Sequence, residues 1–270
     1  MTPSELLKAY GLPAKKRFGQ NFLIDPEALD SVIRSAMLPA GATVLEIGPG
    51  PGGLSSRLLA HGFTVRAIET DTDLVAHLEA TLGPHEAFSV LAGDALKQDI
   101  DAELAKCAGV VANLPYNVAT PILFRLLDSP EAPPTMALMF QKEVADRIVC
   151  TGPARQFSSL GVACNIRYDT TIAMKLKPGA FRPSPKVHSA VVRFTRRETP
   201  RCSAEVETLA RSIAREAFLY RRKMLRKTLL PCIPDPIATL SALGFTATAR
   251  PEELSVDDFI RLASHQLAAG

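Results

Sequence analysis

Between residues 43 and 140, short runs rich in β-branched residues alternate with stretches of helical periodicity, and no other feature of the chain narrows its fold as much. The strand candidates are TVLEIG (43–48), TVRAIE (64–69), FSVLAG (88–93), GVVANL (109–114) and TMALMF (135–140). Helical patterns at 54–60, 72–82 and 120–127 fill gaps between them. Alternation at this spacing calls for right-handed crossovers, hence an α/β fold with a mainly parallel, Rossmann-like sheet and helices on both faces. Two later candidates, TTIAMKL (170–176) and SAVVRFT (189–195), follow one another without a long helix between them. They fit an antiparallel addition at one edge.

Beyond Arg197 the strands stop. Val206, Ala210, Ile213, Ala217, Tyr220 and Met224 recur at helical spacing, so 204–230 reads as one amphipathic helix, ended by Pro231, Pro234 and Pro236. Two short helices follow: 236–243, stopped by Gly244, and 256–267, with Ser255 as N-cap. The expected division is a domain over 1–200, with a basic N-terminal segment at 1–24, and a small all-helical domain over 201–270. A chain of 270 residues can bury a core of that size. No apolar run reaches the ~18 residues of a membrane span. Lys15, Lys16 and Arg17 are followed by polar residues rather than by the apolar stretch of a signal peptide, so a cytoplasmic protein is expected. Cys107, Cys150, Cys164, Cys202 and Cys232 lie far apart, which speaks against disulfides and a metal site and for reduced, buried thiols.

The first strand runs into Glu46-Ile47-Gly48-Pro49-Gly50-Pro51-Gly52-Gly53, in which Gly48, Gly50 and Gly53 satisfy a dinucleotide-type pattern. Its neighbours decide the cofactor. A carboxylate at Glu46 would repel a pyrophosphate but suits a ligand carrying an ammonium and a sulfonium, as S-adenosylmethionine does. Glu69 closes the second strand, where an acid can accept both ribose hydroxyls. Asp94, just past the third strand, is placed to accept from an adenine amino group.

The fourth strand ends in Asn113-Leu114-Pro115-Tyr116. An adenine N6 is a poor nucleophile because its lone pair is delocalised into the ring. Two acceptors, the Asn113 side-chain oxygen and the Leu114 carbonyl, can hold the amino hydrogens and favour a pyramidal nitrogen. Pro115 fixes the turn. Tyr116 offers an aromatic face for an unstacked base.

Charge is unevenly spread. Residues 1–180 carry 16 Lys+Arg and 19 Asp+Glu (16 − 19 = −3), whereas residues 181–270 carry 15 and 9 (15 − 9 = +6). Arg211, Arg215, Arg222 and Arg226, spaced 4, 7 and 4, form one stripe of the expected long helix, with Glu216 the lone acid over 211–227. Such a stripe, lacking its usual acidic pairs, suits phosphates.

With these motifs in hand, the chain resembles the bacterial ribosomal RNA adenine dimethyltransferase A family over nearly its whole length. The resemblance rests on Lys16-Arg17-Phe18-Gly19-Gln20-Asn21-Phe22-Leu23, the glycine loop, Asn113–Tyr116 continuing to Pro121, Gln141-Lys142-Glu143-Val144, the segment 181–187 and Arg221-Arg222-Lys223. It implies an S-adenosylmethionine-dependent methyltransferase domain followed by a small helical domain, with no metal. It also implies dimethylation of two adjacent adenosines in the 3′-terminal hairpin of 16S rRNA within the small ribosomal subunit. Asn21, Leu23, Gly48, Glu69, Asp94 and Asn113 would contact the cofactor, with Glu46 and Gly50 from the loop. Phe181 would be a second aromatic face against the target adenine, or else a core residue before a Pro-rich turn. Lys16 and Arg17 would touch RNA or form a tail ordered only with ligand; Arg221 and Lys223 would join the RNA-binding set. A monomer is expected. The alternatives are a 23S rRNA adenine methyltransferase of the macrolide-resistance type and a ribosome-assembly checkpoint acting mainly without catalysis. Leu114 speaks against DNA adenine and glutamine methyltransferases, and Glu46 against an oxidoreductase.

Overall fold

The computed structural model describes residues 21–269. They form two compact units, residues 21–145 with 171–196, and residues 146–170 with 197–269.

In the first unit β1 (Phe22–Leu23) leads into α1 (Pro26–Ser35). Asp25 caps this helix by accepting from the Glu27 and Ala28 amides, and Pro26 supplies a preset φ at its first position. Then follow β2 (Thr43–Ile47), α2 (Gly53–Ala60), β3 (Thr64–Glu69), α3 (Thr72–Thr81), β4 (Phe88–Ala92), α4 (Ile100–Leu104), β5 (Gly109–Ala112), α5 (Ala119–Asp128) and β6 (Thr135–Gln141). Helix α6 (Lys142–Ile148) and α7 (Ser159–Arg167) precede β7 (Tyr168–Leu176), β8 (Phe181–Arg182) and β9 (Ser189–Arg196). The seven-stranded sheet has the order β4-β3-β2-β5-β6-β9-β7. Its first five members pair in parallel and β9 pairs antiparallel to β6. The sequence therefore located all seven strands and the antiparallel edge. Strands β1 and β8 form a separate antiparallel ladder, Phe22 opposite Arg182 and Leu23 opposite Phe181.

The strand order reverses between β2 and β5, which opens a crevice at their carboxyl ends where ligands of such sheets sit. Beneath it Val44, Val65, Val111, Ala137 and Val191 of the strands pack with Leu29, Val32, Leu54 and Leu58 of α1 and α2. Burying each of these larger side chains contributes about 1.5–3 kcal/mol.

The second unit is helical: α7, α8 (Ala204–Leu219), α9 (Leu225–Thr228), α10 (Pro236–Ala242) and α11 (Val256–Ala269). Phe157, Phe218 and Phe259 meet at its centre, with ring centroids 5.6–6.1 Å apart. Two expectations need correction here. Residues 146–170 were expected in the first domain but belong to this unit, because Phe157, Val162 and Ile166 share its core with Ala210, Ile213 and Phe259. Gly161 admits this packing, since a Cβ there would stand 2.5 Å from the Cys150 carbonyl oxygen.

The single helix over 204–230 is in fact α8 and α9, separated at 220–224. Continued as helix, Arg221 would extend the buried stripe of Ala210, Ile213, Ala214 and Ala217. Instead the chain breaks at Tyr220, Arg221 reaches Glu252, and the Leu225 amide donates to the Ala249 carbonyl at 2.8 Å. Ser255 caps α11 in a reciprocal box with Asp258, as its position suggested. The five cysteines are free thiols, but only Cys164 is fully buried and the others are half-buried. Among the described residues no helix is long and apolar enough to cross a membrane.

Candidate active site

At the carboxyl ends of β2, β3 and β5 lies a cavity of about 220 Å³. Its walls come from β1, the glycine loop, the ends of β3 and β4, the tetrapeptide after β5 and the start of α5. Of the sequence-derived cofactor set, Asn21, Leu23, Glu46, Gly48, Gly50, Glu69, Asp94 and Asn113 all line it. So do Leu114, Pro115 and Tyr116. Among the described residues the lining includes three acids, Glu46, Glu69 and Asp94, and no Lys, Arg or His.

The glycine loop is held by the acids rather than merely lying near them. Gly50 N–H donates to Glu69 Oε2 at 3.1 Å, and the Asp71 amide donates to the other oxygen at 2.9 Å. Burial raises the Glu69 carboxyl above its ordinary value, opposed by the amides of Asp71, Gly50 and Thr70. Gly50 has φ +58°, and a Cβ there would lie 2.7 Å from the Phe22 ring, so the loop can close over β1 only with glycine at this position. Glu46 is 1 % exposed and accepts from Ser55 Oγ at 2.5 Å. Burial drives its pKa up to about 8, the Ser55 hydrogen bond works against this, and the Glu69 charge adds to it. The sequence reading gave Glu46 a standing negative charge; near neutral pH it is instead largely protonated and needs a cation to ionise it.

Asn113 donates through Nδ2 to the Asn21 carbonyl at 3.0 Å. The amide is thereby oriented with Oδ1 as its acceptor end. The Leu114 carbonyl takes no backbone hydrogen bond among the described residues, so a second acceptor lies beside the first. Tyr116 is half-buried, and its hydroxyl meets Ser189 Oγ at 2.5 Å. Burial raises the Tyr116 phenol and the Ser189 contact opposes the rise. Asp94 accepts the Leu96 amide at 3.0 Å through Oδ1, leaving its second oxygen for a ligand.

Other expectations fare differently. Phe181 is fully buried among Leu23, Leu29, Val32 and Met139 and does not line the cavity. Of its two readings, the structure selects the core residue, because pairing of β8 with β1 brings its ring into the sheet's core. Lys16 and Arg17 lie outside the described residues. The expected lack of acidic partners on the basic stripe does not hold. Arg211 lies 3.7 Å from Glu207, Arg215 3.7 Å from Glu216 and Arg221 3.1 Å from Glu252. Arg222, Lys223 and Arg226 have no ion pair among the described residues, and Lys223 Nζ stands 4.5 Å from the Tyr220 ring centre. The sequence reading missed Phe22, Leu29, Thr70, Asn117 and Ile122 as cavity walls. The Asp25-Pro26 cap and helix start was the available signal for Leu29.

The donor set fits S-adenosylmethionine: buried carboxyls suit its amino group, acceptors suit its ribose and adenine, and among the described lining residues no cation awaits a phosphate. Comparison with known proteins agrees. The ribosomal RNA adenine dimethylase family model matches residues 11–266. A ribosomal RNA small subunit methyltransferase A from Dinoroseobacter shibae is 44% identical, covering 98% of this chain and 96% of its own. The protein of that name from Magnetococcus marinus is 39% identical, covering 96% and 94%. Among solved structures, a dimethyladenosine transferase from Plasmodium falciparum superposes with TM-score 0.74 at 25% identity, covering 89% of this chain and 95% of that one. The 23S rRNA methyltransferase ErmE gives TM-score 0.71 at 25% identity, covering 91% and 99%. The chain belongs to the ribosomal RNA adenine dimethylase family and is an S-adenosylmethionine-dependent rRNA adenine dimethyltransferase.

Proposed function

We propose that the protein dimethylates the N6 atoms of two adjacent adenosines in the 3′-terminal hairpin of 16S rRNA, as a monomer acting on small ribosomal subunits in the cytoplasm during their biogenesis. The observation that carries the reading is Asn113, whose donor end is tied to the Asn21 carbonyl so that Oδ1 faces its task as an acceptor in a cavity lined, among the described residues, by acids and no bases.

When bound, S-adenosylmethionine supplies a methyl carbon on a sulfonium, and the carbon–sulfur bonding pair returns to sulfur on transfer. Glu46, Glu69 and Asp94 would hold the cofactor through its amino group, ribose and adenine, while the Gly48–Gly50 loop gives it backbone approach. Asn113 Oδ1 and the Leu114 carbonyl accept the amino hydrogens of the target base, drawing the N6 lone pair out of the ring. One of those protons passes to solvent as each new N–C bond forms. Tyr116 presents its ring to the base, with its hydroxyl anchored on Ser189. Arg222, Lys223 and Arg226 in the helical unit have no acid partner among the described residues and would contact RNA phosphates. Arg211, Arg215 and Arg221 would contribute less.

The test is methylation of unmethylated small subunits with S-[methyl-³H]adenosylmethionine, followed by digestion to nucleosides. Label in N6,N6-dimethyladenosine from the 3′-terminal fragment supports the reading. Label only with large-subunit RNA would replace it with the resistance-type activity. Tight particle binding without label would move the function to assembly.

A further inference from the structure

Between Asp169 and Glu198 the chain carries seven Lys+Arg and no Asp or Glu. Five of these, Lys175, Lys177, Arg182, Lys186 and Arg196, are exposed and have no ion pair among the described residues. Arg196 donates to the Ala132 carbonyl at the far end of β9, which leaves the other four. These four fall on one connected piece of the first unit. Lys175 lies near the end of β7, and Lys177 opens the turn whose Ala180 amide returns to its carbonyl at 3.1 Å. Ser184 Oγ reaches the Pro178 carbonyl at 2.9 Å, which folds 182–186 back onto that turn. The piece abuts the cavity wall: the Ile24 amide donates to the Ala180 carbonyl at 2.9 Å, and Arg182 stands opposite Phe22, a wall residue. Asp25, the acid next along that strand's exit, is engaged in capping α1.

Exposed cations with no ion pair among the described residues, beside a cavity whose described lining is acidic, have no folding role in view. Like charges carried on one connected piece of chain repel one another, and an exposed polyanion relieves that repulsion. We propose that Lys175, Lys177, Arg182 and Lys186 form a phosphate-binding face on the catalytic unit, which grips the rRNA strand flanking the target adenosine. This rests on the rRNA reading above and adds a surface that composition placed in the helical unit.

The experiment combines Lys175→Ala, Lys177→Ala and Lys186→Ala. It measures binding to a protein-free RNA carrying the 3′-terminal hairpin, and to unmethylated small subunits, between 50 and 300 mM KCl (about one to six times a low-salt reference). With each phosphate contact contributing about 0.7–0.9 to the slope of log affinity against log salt, the triple variant should lose about two from that slope. Affinity near 150 mM salt (about physiological) should fall about tenfold or more. Affinity for S-adenosylhomocysteine and the melting temperature should not change. An unchanged slope on both RNA and particle overturns the proposal. A loss seen on particles but not on naked RNA also overturns it, since the face would then meet ribosomal protein. If the unaltered protein fails to methylate small-subunit RNA at any salt, the functional reading itself has failed, an outcome separate from the variant's slope.

Discussion

The cavity and the segment 170–197 belong to one unit and carry opposite charge in opposite settings. The cavity holds Glu46 and Glu69, 1 % and 5 % exposed, with Asp94 at its rim. The segment holds seven cations, five of them exposed and without acid partners among the described residues. Buried carboxyls are costly and raise their own pKa, so they are tolerable where a compact cation comes to meet them in a dry site. Exposed cations cost little and act through water, over a distance set by salt. The two settings therefore sort two ligands of opposite charge: a small cationic cofactor inside and a polyanion outside. They also select which part of the polyanion can enter. A phosphate would meet three acids, whereas a neutral base meets hydrogen-bond acceptors and the Tyr116 ring.

If chemistry belongs to the cavity and grip to the cationic face, Asn113→Ala should give the largest effect of all. Methyl transfer should fall about 10²–10³-fold, the range for a lost transition-state hydrogen-bonding group. RNA affinity and its salt slope should stay as they were. The check is initial rate and filter binding on the same preparation, and an equal loss of both would break the division. Gly50→Ala comes next. The added methyl meets Phe22 at 2.7 Å in a backbone with φ +58°, a strain of about 1–3 kcal/mol. Loop closure and cofactor binding share that strain, so affinity for S-adenosylhomocysteine should drop about tenfold or more by calorimetry. RNA binding should be untouched.

What the sequence disclosed, and what it did not, follows the same physics. The seven-stranded sheet was readable because each strand is a dense β-branched run bounded by turns. The cavity's polar residues were readable because they stand at strand ends, where ligands of this sheet type bind. Helix α7 was not readable: Leu160, Val162, Ala163, Cys164 and Ile166 are all buried, so the segment has no polar face and no 3.6-residue stripe. The break at Tyr220 was not readable either. Local pattern favours continuing the helix, and the partners that end it, Ala249 and Glu252, come from some 30 residues on. Phe22, Leu29 and Ile122 line the cavity with apolar side chains that in sequence look like any core residue. Phe181 shows the converse, an aromatic in a motif that turns out to be core.

Glu46 sharpens the comparison through pH. Its pKa is raised from 4.5 to about 8 in the folded protein, so the folded state holds a proton that the unfolded chain has released above pH 4.5. The stability this gives is present below 4.5 and is lost progressively as pH rises from there through 8. Melting temperature of the ligand-free protein should therefore fall across that window, more steeply than in Glu46→Gln. Binding the cofactor's amino group should expel the proton, so affinity for S-adenosylhomocysteine should rise with pH by up to about tenfold per unit, then level off near 8. Calorimetric titration from acid to neutral pH checks the slope, and a flat profile would mean that Glu46 stays protonated in the complex.

The smallest effects lie on the helical unit, where paired and unpaired cations sit side by side. Arg221 pairs with Glu252 at 3.1 Å and donates to the Arg155 carbonyl. Arg222 is exposed and has no ion pair among the described residues. Both partners of the Arg221 pair are around one-third exposed, so the pair is a surface salt bridge worth ~1 kcal/mol or less. Arg221→Ala should thus lower the melting temperature slightly and leave the salt slope of RNA binding unchanged. Arg222→Ala should do the reverse, taking about 0.7–0.9 from the slope with no change in melting. If the two variants lose slope equally, pairing with an acid does not withhold an arginine from RNA. The exposed lysines of 170–197 would then share their role with all the arginines of the helical unit's basic segment rather than standing apart from them.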